Sequence, residues 1–238
     1  MRSLLIVVAA LAVAGCSTPG PATPPPSATG PAPPVSLAAT LASPTDVTLT
    51  WSSHLPQVAG WAVEFATDPD GPYTNLAFAP PGTTTYRHPD LMPKTHFYYR
   101  IRPVLGPASR PVDVTLPSTG ANDPNDDGSW AAPTRAPQPA VARLSVREPA
   151  AAPTDLRATV VGADGIRFSW TDRASDAEGY LLEVRPAGST DYRVADVLDP
   201  DVNTVGLVTQ PDERVASYRV RAYRYGFASN VASATTGD

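Results

Sequence analysis

Tyr99-Arg100-Ile101-Arg102 returns as Tyr218-Arg219-Val220-Arg221, 119 residues later. The same offset joins Leu37 to Leu156, Trp51 to Trp170, Gly60-Trp61 to Gly179-Tyr180, Glu64 to Glu183 and Tyr73 to Tyr192. One constant spacing over so many bulky positions marks an internal duplication, so the chain carries two copies of one domain.

Each copy alternates apolar and polar residues with period two, the pattern of half-buried strands. Val47, Leu49 and Trp51 alternate with Thr48 and Thr50, and Ile166, Phe168 and Trp170 alternate with Arg167 and Ser169. The next strand shows Trp61, Val63 and Phe65 in one copy and Tyr180, Leu182 and Val184 in the other. A late strand shows Phe97, Tyr99 and Ile101, then Tyr218, Val220 and Ala222. Turn signals such as Pro69-Asp70-Gly71-Pro72 and Ala187-Gly188-Ser189 separate the runs. No useful length of helical periodicity interrupts them. Several short strands in about 85 residues predict two antiparallel sheets packed as a sandwich.

These residues resemble fibronectin type III domains. The resemblance rests on Gly60-Trp61-Ala62-Val63-Glu64 and the run Leu91 to Ile101 in the first copy. In the second it rests on Ala152-Pro153-Thr154-Asp155-Leu156, Tyr218-Arg219-Val220-Arg221-Ala222 and Ser229-Asn230-Val231. It implies an all-β chain of two tandem immunoglobulin-like sandwiches, over 34–117 and 152–238, joined by Pro-rich disordered linkers. It implies no particular function, because this fold hosts many. The family usually places a tyrosine at the bend before the late strand. Phe97 and Ala216 hold that position here, so its hydroxyl bond is expected to be missing in both copies.

Outside the repeats lie three segments. Residues 1–15 carry Arg2 and an apolar run from Leu4 to Val13, shaped like a signal peptide and too short to span a bilayer. Val13-Ala14-Gly15-Cys16 then resembles a bacterial lipobox, which implies lipid attachment at Cys16, the only cysteine. Two or three acyl chains on such a residue anchor a protein durably. The expected location is the cell membrane, or the outer membrane of a diderm cell, on the exported side. Residues 16–33 form a Pro-rich tether with no bulky apolar side chain, and 118–151 form a second Pro-rich, partly acidic linker. The two sandwiches are then expected to reorient freely.

The net charge of −5 lacks the basic footprint of a nucleic-acid binder. Asp123, Asn125 and Asp127, followed by Gly128, match the first half of a calcium loop. The twelfth position, Thr134, lacks the closing carboxylate, so calcium binding is not expected. His54, His88 and His96 have no metal-ligand spacing. No nucleophile elbow or phosphate loop occurs, so the chain reads as a non-enzyme with no cofactor beyond the lipid on Cys16. Glu64 is expected opposite Arg100 or Arg102, and Glu183 opposite Arg219 or Arg221, as cross-strand pairs on an outward face. Tyr98, Tyr223 and Tyr225 are candidates for an exposed binding face, and Trp130 for a lone contact in the linker. The expected partner is another envelope or surface protein, with the membrane reached through the lipid. Binding of cell-wall or other polysaccharide is the alternative.

Overall fold

The computed structural model describes residues 34–117 and 128–238. Cys16 and the Asp123, Asn125 and Asp127 loop lie outside the described residues. The first copy contributes β1 (Val35–Ser43), β2 (Asp46–Ser53), β3 (Gly60–Ala66), β4 (Thr74–Ala79), β5 (Thr85–His88), β6 (His96–Leu105) and β7 (Val112–Thr115). The second contributes β8 (Thr154–Val160), β9 (Gly165–Thr171), β10 (Gly179–Pro186), β11 (Arg193–Leu198), β12 (Thr204–Val208), β13 (Val215–Tyr225) and β14 (Ala232–Thr235). Among the described residues, only single turns of 3₁₀ helix accompany them.

Period-two patterning sets the cores. Leu37, Val47, Leu49, Trp51, Trp61, Val63, Tyr99 and Ile101 are buried together in lobe 1. Ile166, Phe168, Trp170, Tyr180, Leu182, Val184, Tyr218 and Val220 do the same in lobe 2. Each lobe stacks a three-stranded sheet, β1-β2-β5 or β12-β9-β8, on a larger one built around β4-β3-β6 or β11-β10-β13.

The last strand of each sandwich comes from the other copy. β14, at the far end of the chain, pairs antiparallel with β6, setting Ala232 opposite Tyr99 and Ala234 opposite Phe97. β7 pairs with β13, setting Val114 opposite Ala216 and Val112 opposite Tyr218. The contacts are reciprocal. Ile101 N–H donates to Ser229 Oγ at 3.0 Å, and Val220 N–H donates to Ser109 Oγ at 3.1 Å. Thr236 N–H reaches Thr95 O, and Leu116 N–H reaches Arg214 O. Val114 and Leu116 sit in lobe 2's core, while Ala232 and Ala234 pack on lobe 1's. A division at 34–117 and 152–238 would therefore leave each sandwich without its own seventh strand.

The exchange has a local cause. β6 does not turn back on itself but runs on until Leu105 and Val104 pair with Arg224 and Tyr225 of β13. This pair fuses the two larger sheets into one. Gly106 marks the crossing with φ of 131°, where an added Cβ would lie 2.2 Å from the Ala222 carbonyl oxygen, so only glycine fits. The lobes are thus joined by a shared sheet and two crossing strands, and the expected free reorientation is corrected.

The linker expectation is corrected over 128–151. Val146 is buried in lobe 2's core, Leu144 bridges Ala174 and Thr134 bridges Thr204. Trp130 lies over Gly206, where a Cβ would stand 2.4 Å from the ring. Asn203 Oδ1 accepts from Ala136 N–H at 2.7 Å, and Gln138 exchanges hydrogen bonds with the Asp172 backbone. A Pro-rich segment needs few internal bonds of its own. Here several of its polar groups find partners on lobe 2, among them Arg135, Gln138, Arg143 and Ser145, so it packs as an added layer.

The missing tyrosine bond is also corrected, for lobe 2. Tyr218, two residues beyond Ala216, points to the same inner face and donates to the Glu213 carbonyl at 2.9 Å. The equivalent Tyr99 instead pairs with His88 Nδ1 at 3.2 Å.

Candidate functional site at the junction of the sandwiches

Where the larger sheets fuse, Ala62, Val104, Leu181 and Tyr223 are buried together, with Phe78 and Tyr225 against them. Phe78 meets Tyr223 edge-on at 6.4 Å, Tyr223 meets Tyr225 at 5.3 Å, and the Arg102 guanidinium lies 4.0 Å over the Tyr225 ring. Burial pushes both tyrosine hydroxyls above their ordinary pKa, so they stay neutral hydrogen-bonding groups.

The four aromatic candidates do not form one face. Tyr223 is buried at the junction, and Tyr225 is half-buried beside it. Tyr98 is half-buried at the start of β6, opposite Ser233, and stacks on His96 at 4.8 Å. Trp130 is half-buried on the small sheet of lobe 2, against Gly165 and Gly206. The expectation of a shared exposed face is corrected: strand exchange and linker docking use these rings as packing.

The charge pairs fall in the expected register, with Glu64 opposite Arg100 and Glu183 opposite Arg219. Both glutamates are buried instead of lying on an exposed face. In each lobe a tyrosine covers the arginine, Tyr73 over Arg100 at 4.1 Å and Tyr192 over Arg219 at 3.8 Å. Glu183 is also held by Arg221 at 3.0 Å, whereas Arg102 stands 3.9 Å from Glu64. Arg221 donates in turn to the Gly106 carbonyl at 2.7 Å, which ties the charge network to the crossing point.

Beside that crossing lies a groove of about 690 Å³. Leu55, Val58 and Pro81 line it from lobe 1, Pro107 from the crossing, and Val146 and Arg147 from the docked linker. Arg219, Arg221 and Arg224 line it from β13. Sequence reading missed this site because its wall residues lie far apart in the chain. Gly106 and Gly226, each opening a Gly-x-Ala-Ser run, were its only local signal.

Among the described residues, no three His, Cys, Asp or Glu side chains converge as a metal site. No helix among them is long and apolar enough to cross a membrane.

No family model and no curated protein sequence matches this chain. Among solved structures it is similar to a two-domain fibronectin type III segment of chicken tenascin. That match has 12% identity, covers 85% of this chain and 97% of that one, and has a TM-score of 0.25. It is also similar to the FN1–FN3 domains of chicken CNTN1, at 15% identity, 85% and 98% coverage and a TM-score of 0.27. The tandem-sandwich class stands on this chain's own strand order.

Proposed function

We propose that this is a lipid-anchored, non-enzymatic protein of the cell envelope that presents its paired sandwiches to another envelope or surface protein. The observation that carries the reading is the fused sheet with its two exchanged strands. It makes two domains into one preformed surface, which lowers the ordering cost of binding a macromolecule. The sequence at Cys16 supports the anchor, and the Pro-rich tether supports display away from the bilayer. The reading needs no cofactor beyond the lipid. A polysaccharide ligand calls for a row of exposed rings, and the dispersal of Tyr98, Tyr223, Tyr225 and Trp130 favours a protein partner over it.

Two measurements test this. Fatty-acid labelling of the chain in a bacterial host should disappear in Cys16→Ser. Crosslinking in intact cells followed by purification should recover a specific envelope protein. Retained labelling in the variant would remove the anchor, and recovery of no specific protein would remove the partner.

A further inference from the structure

The junction groove combines a mostly apolar wall with an excess of positive charge. Arg147, Arg219, Arg221 and Arg224 line it, against Glu148 on the rim and Glu183 beneath. Glu183 is already shared by Arg219 and Arg221. Among the described residues Arg224 makes no ion pair; its Nη1 reaches the Tyr225 carbonyl at 3.5 Å, and its Nε is buried without a hydrogen-bond partner. Asp176 and Glu178 offset part of its charge from a distance, but their bonds go elsewhere: Asp176 accepts from Ser145 Oγ and Val146 N–H, and Glu178 accepts from Tyr225 N–H. Burial first, and then repulsion from Arg147, make the charged form of Arg224 costly. Arg224 is half-buried with one nitrogen shut away from water and unbonded, an arrangement that a counter-charge in the groove would stabilise.

A carboxylate relieves that cost directly. Guanidinium groups take carboxylates in paired N–H···O bonds, and the interaction strengthens when water is excluded. Leu55, Val58 and Pro107 offer contact to an aliphatic neighbour, so the complementary ligand is part anionic and part apolar. The groove falls within the usual range of about 300–1,000 Å³ for ligand sites, and such sites favour domain interfaces. Its walls come from both lobes and the docked linker, and the exchanged strands hold them in place.

We propose that this groove binds an acidic peptide segment of a partner protein, with one carboxylate on Arg224 and Arg147 and aliphatic side chains against Leu55, Val58 and Pro107. This rests on the protein-partner reading above and names where and by what chemistry the partner is gripped.

The test uses the full chain and a fluorescein-labelled pentapeptide of alternating leucine and glutamate, read by anisotropy. Saturable binding is expected, weakened at least tenfold by Arg224→Gln and by Arg147→Gln, and unchanged by Arg157→Gln on the exposed face of β8. The Arg147 variant alters an exposed side chain, so it keeps the test valid if Arg224→Gln fails to fold. A peptide with glutamine in place of glutamate should not bind, and inorganic phosphate at equal concentration should not displace the acidic one. On titration, the Arg224 Nε–H resonance should shift. Equal binding by the glutamine peptide, displacement by phosphate, or binding indifferent to both arginine variants would overturn the proposal. If both arginine variants still recover the same envelope protein from crosslinked cells, the groove assignment fails while the partner reading survives.

Discussion

The two sandwiches descend from one pattern yet fasten the same core tyrosine differently. In lobe 2, Tyr218 bonds a backbone carbonyl, a partner that carries no charge at any pH. In lobe 1, Tyr99 bonds His88, a side chain that titrates, where lobe 2 has Leu207. The charge networks differ too. Arg221 is nearly as buried as its glutamate in lobe 2, while lobe 1's arginines keep about a quarter of their side chains in solvent. The borrowed strands are held unequally as well. Asn230, which follows the Gly226-Phe227-Ala228-Ser229 run, bonds Leu37 through both its amide nitrogen and its oxygen, flanking β14; among the described residues Arg110, which follows the matching Gly106-Pro107-Ala108-Ser109 run, makes no such pair beside β7. Duplication supplied two similar frames, and different side chains at matched positions gave each its own weak point.

The largest effect should come from removing residues 227–238. In a simple tandem this deletion would damage lobe 2. With strands exchanged, it uncovers β6, so amide-exchange protection should collapse at 96–101 and persist at 180–184. Loss confined to lobe 2 would break the comparison at its root.

Next in size come the buried carboxylates. Glu183→Gln leaves Arg219 and Arg221 without their counter-charge in a buried site and should cost about 3 kcal/mol in chemical denaturation. Glu64→Gln, whose arginines are wetter, should cost less, about 1–2 kcal/mol. A reversed order would mean that solvent access does not set the difference between the lobes.

A smaller loss, about 1 kcal/mol, is expected for Tyr218→Phe, which removes one buried hydrogen bond. The corresponding Tyr99→Phe frees His88 as well, so its cost should vary with pH, whereas that of Tyr218→Phe should not.

The smallest effect is a slope. Burial holds His88 below its ordinary pKa of 6.5. Below that value the unfolded chain binds a proton that folded lobe 1 resists, so lobe 1 loses stability as pH falls through and beneath about 6.5. Nothing from this group changes above it. His88→Leu, matching lobe 2, should flatten the slope in thermal melts between pH 7 and 5, and an unchanged slope would assign the acid sensitivity elsewhere.

Much of the fold was legible because strands announce themselves by period two and duplication by a constant offset. Trp51, Trp61 and Trp170 are core residues, as their alternation requires, and Glu64 and Glu183 sit opposite the arginines that register predicts. Tyr223 misled for a physical reason: alternation tells which side of a sheet a residue faces, but not that a second sheet continues there and covers it. The docking of Val146, Arg143 and Trp130 was hidden by the proline content around them, since composition reports what a segment cannot bond internally and not what a neighbour can offer it. Arg143 shows this plainly, pairing at 2.6 Å with the buried Asp172 of lobe 2.

By itself, the sequence determined two all-β sandwiches, their inward and outward faces and the pairing of their central strands. Those properties follow from local alternation, which each strand carries within about ten residues. Which copy completes which sandwich was decided only in three dimensions. β7 and β14 carry similar short alternating patterns, so either could close either sheet with the same ladder. The choice depends on whether the backbone at Gly106 and Gly226 turns back or runs on, and on the burial gained where β6 meets β13. The groove at that meeting exists for the same reason, since its walls come close only once the strands have crossed.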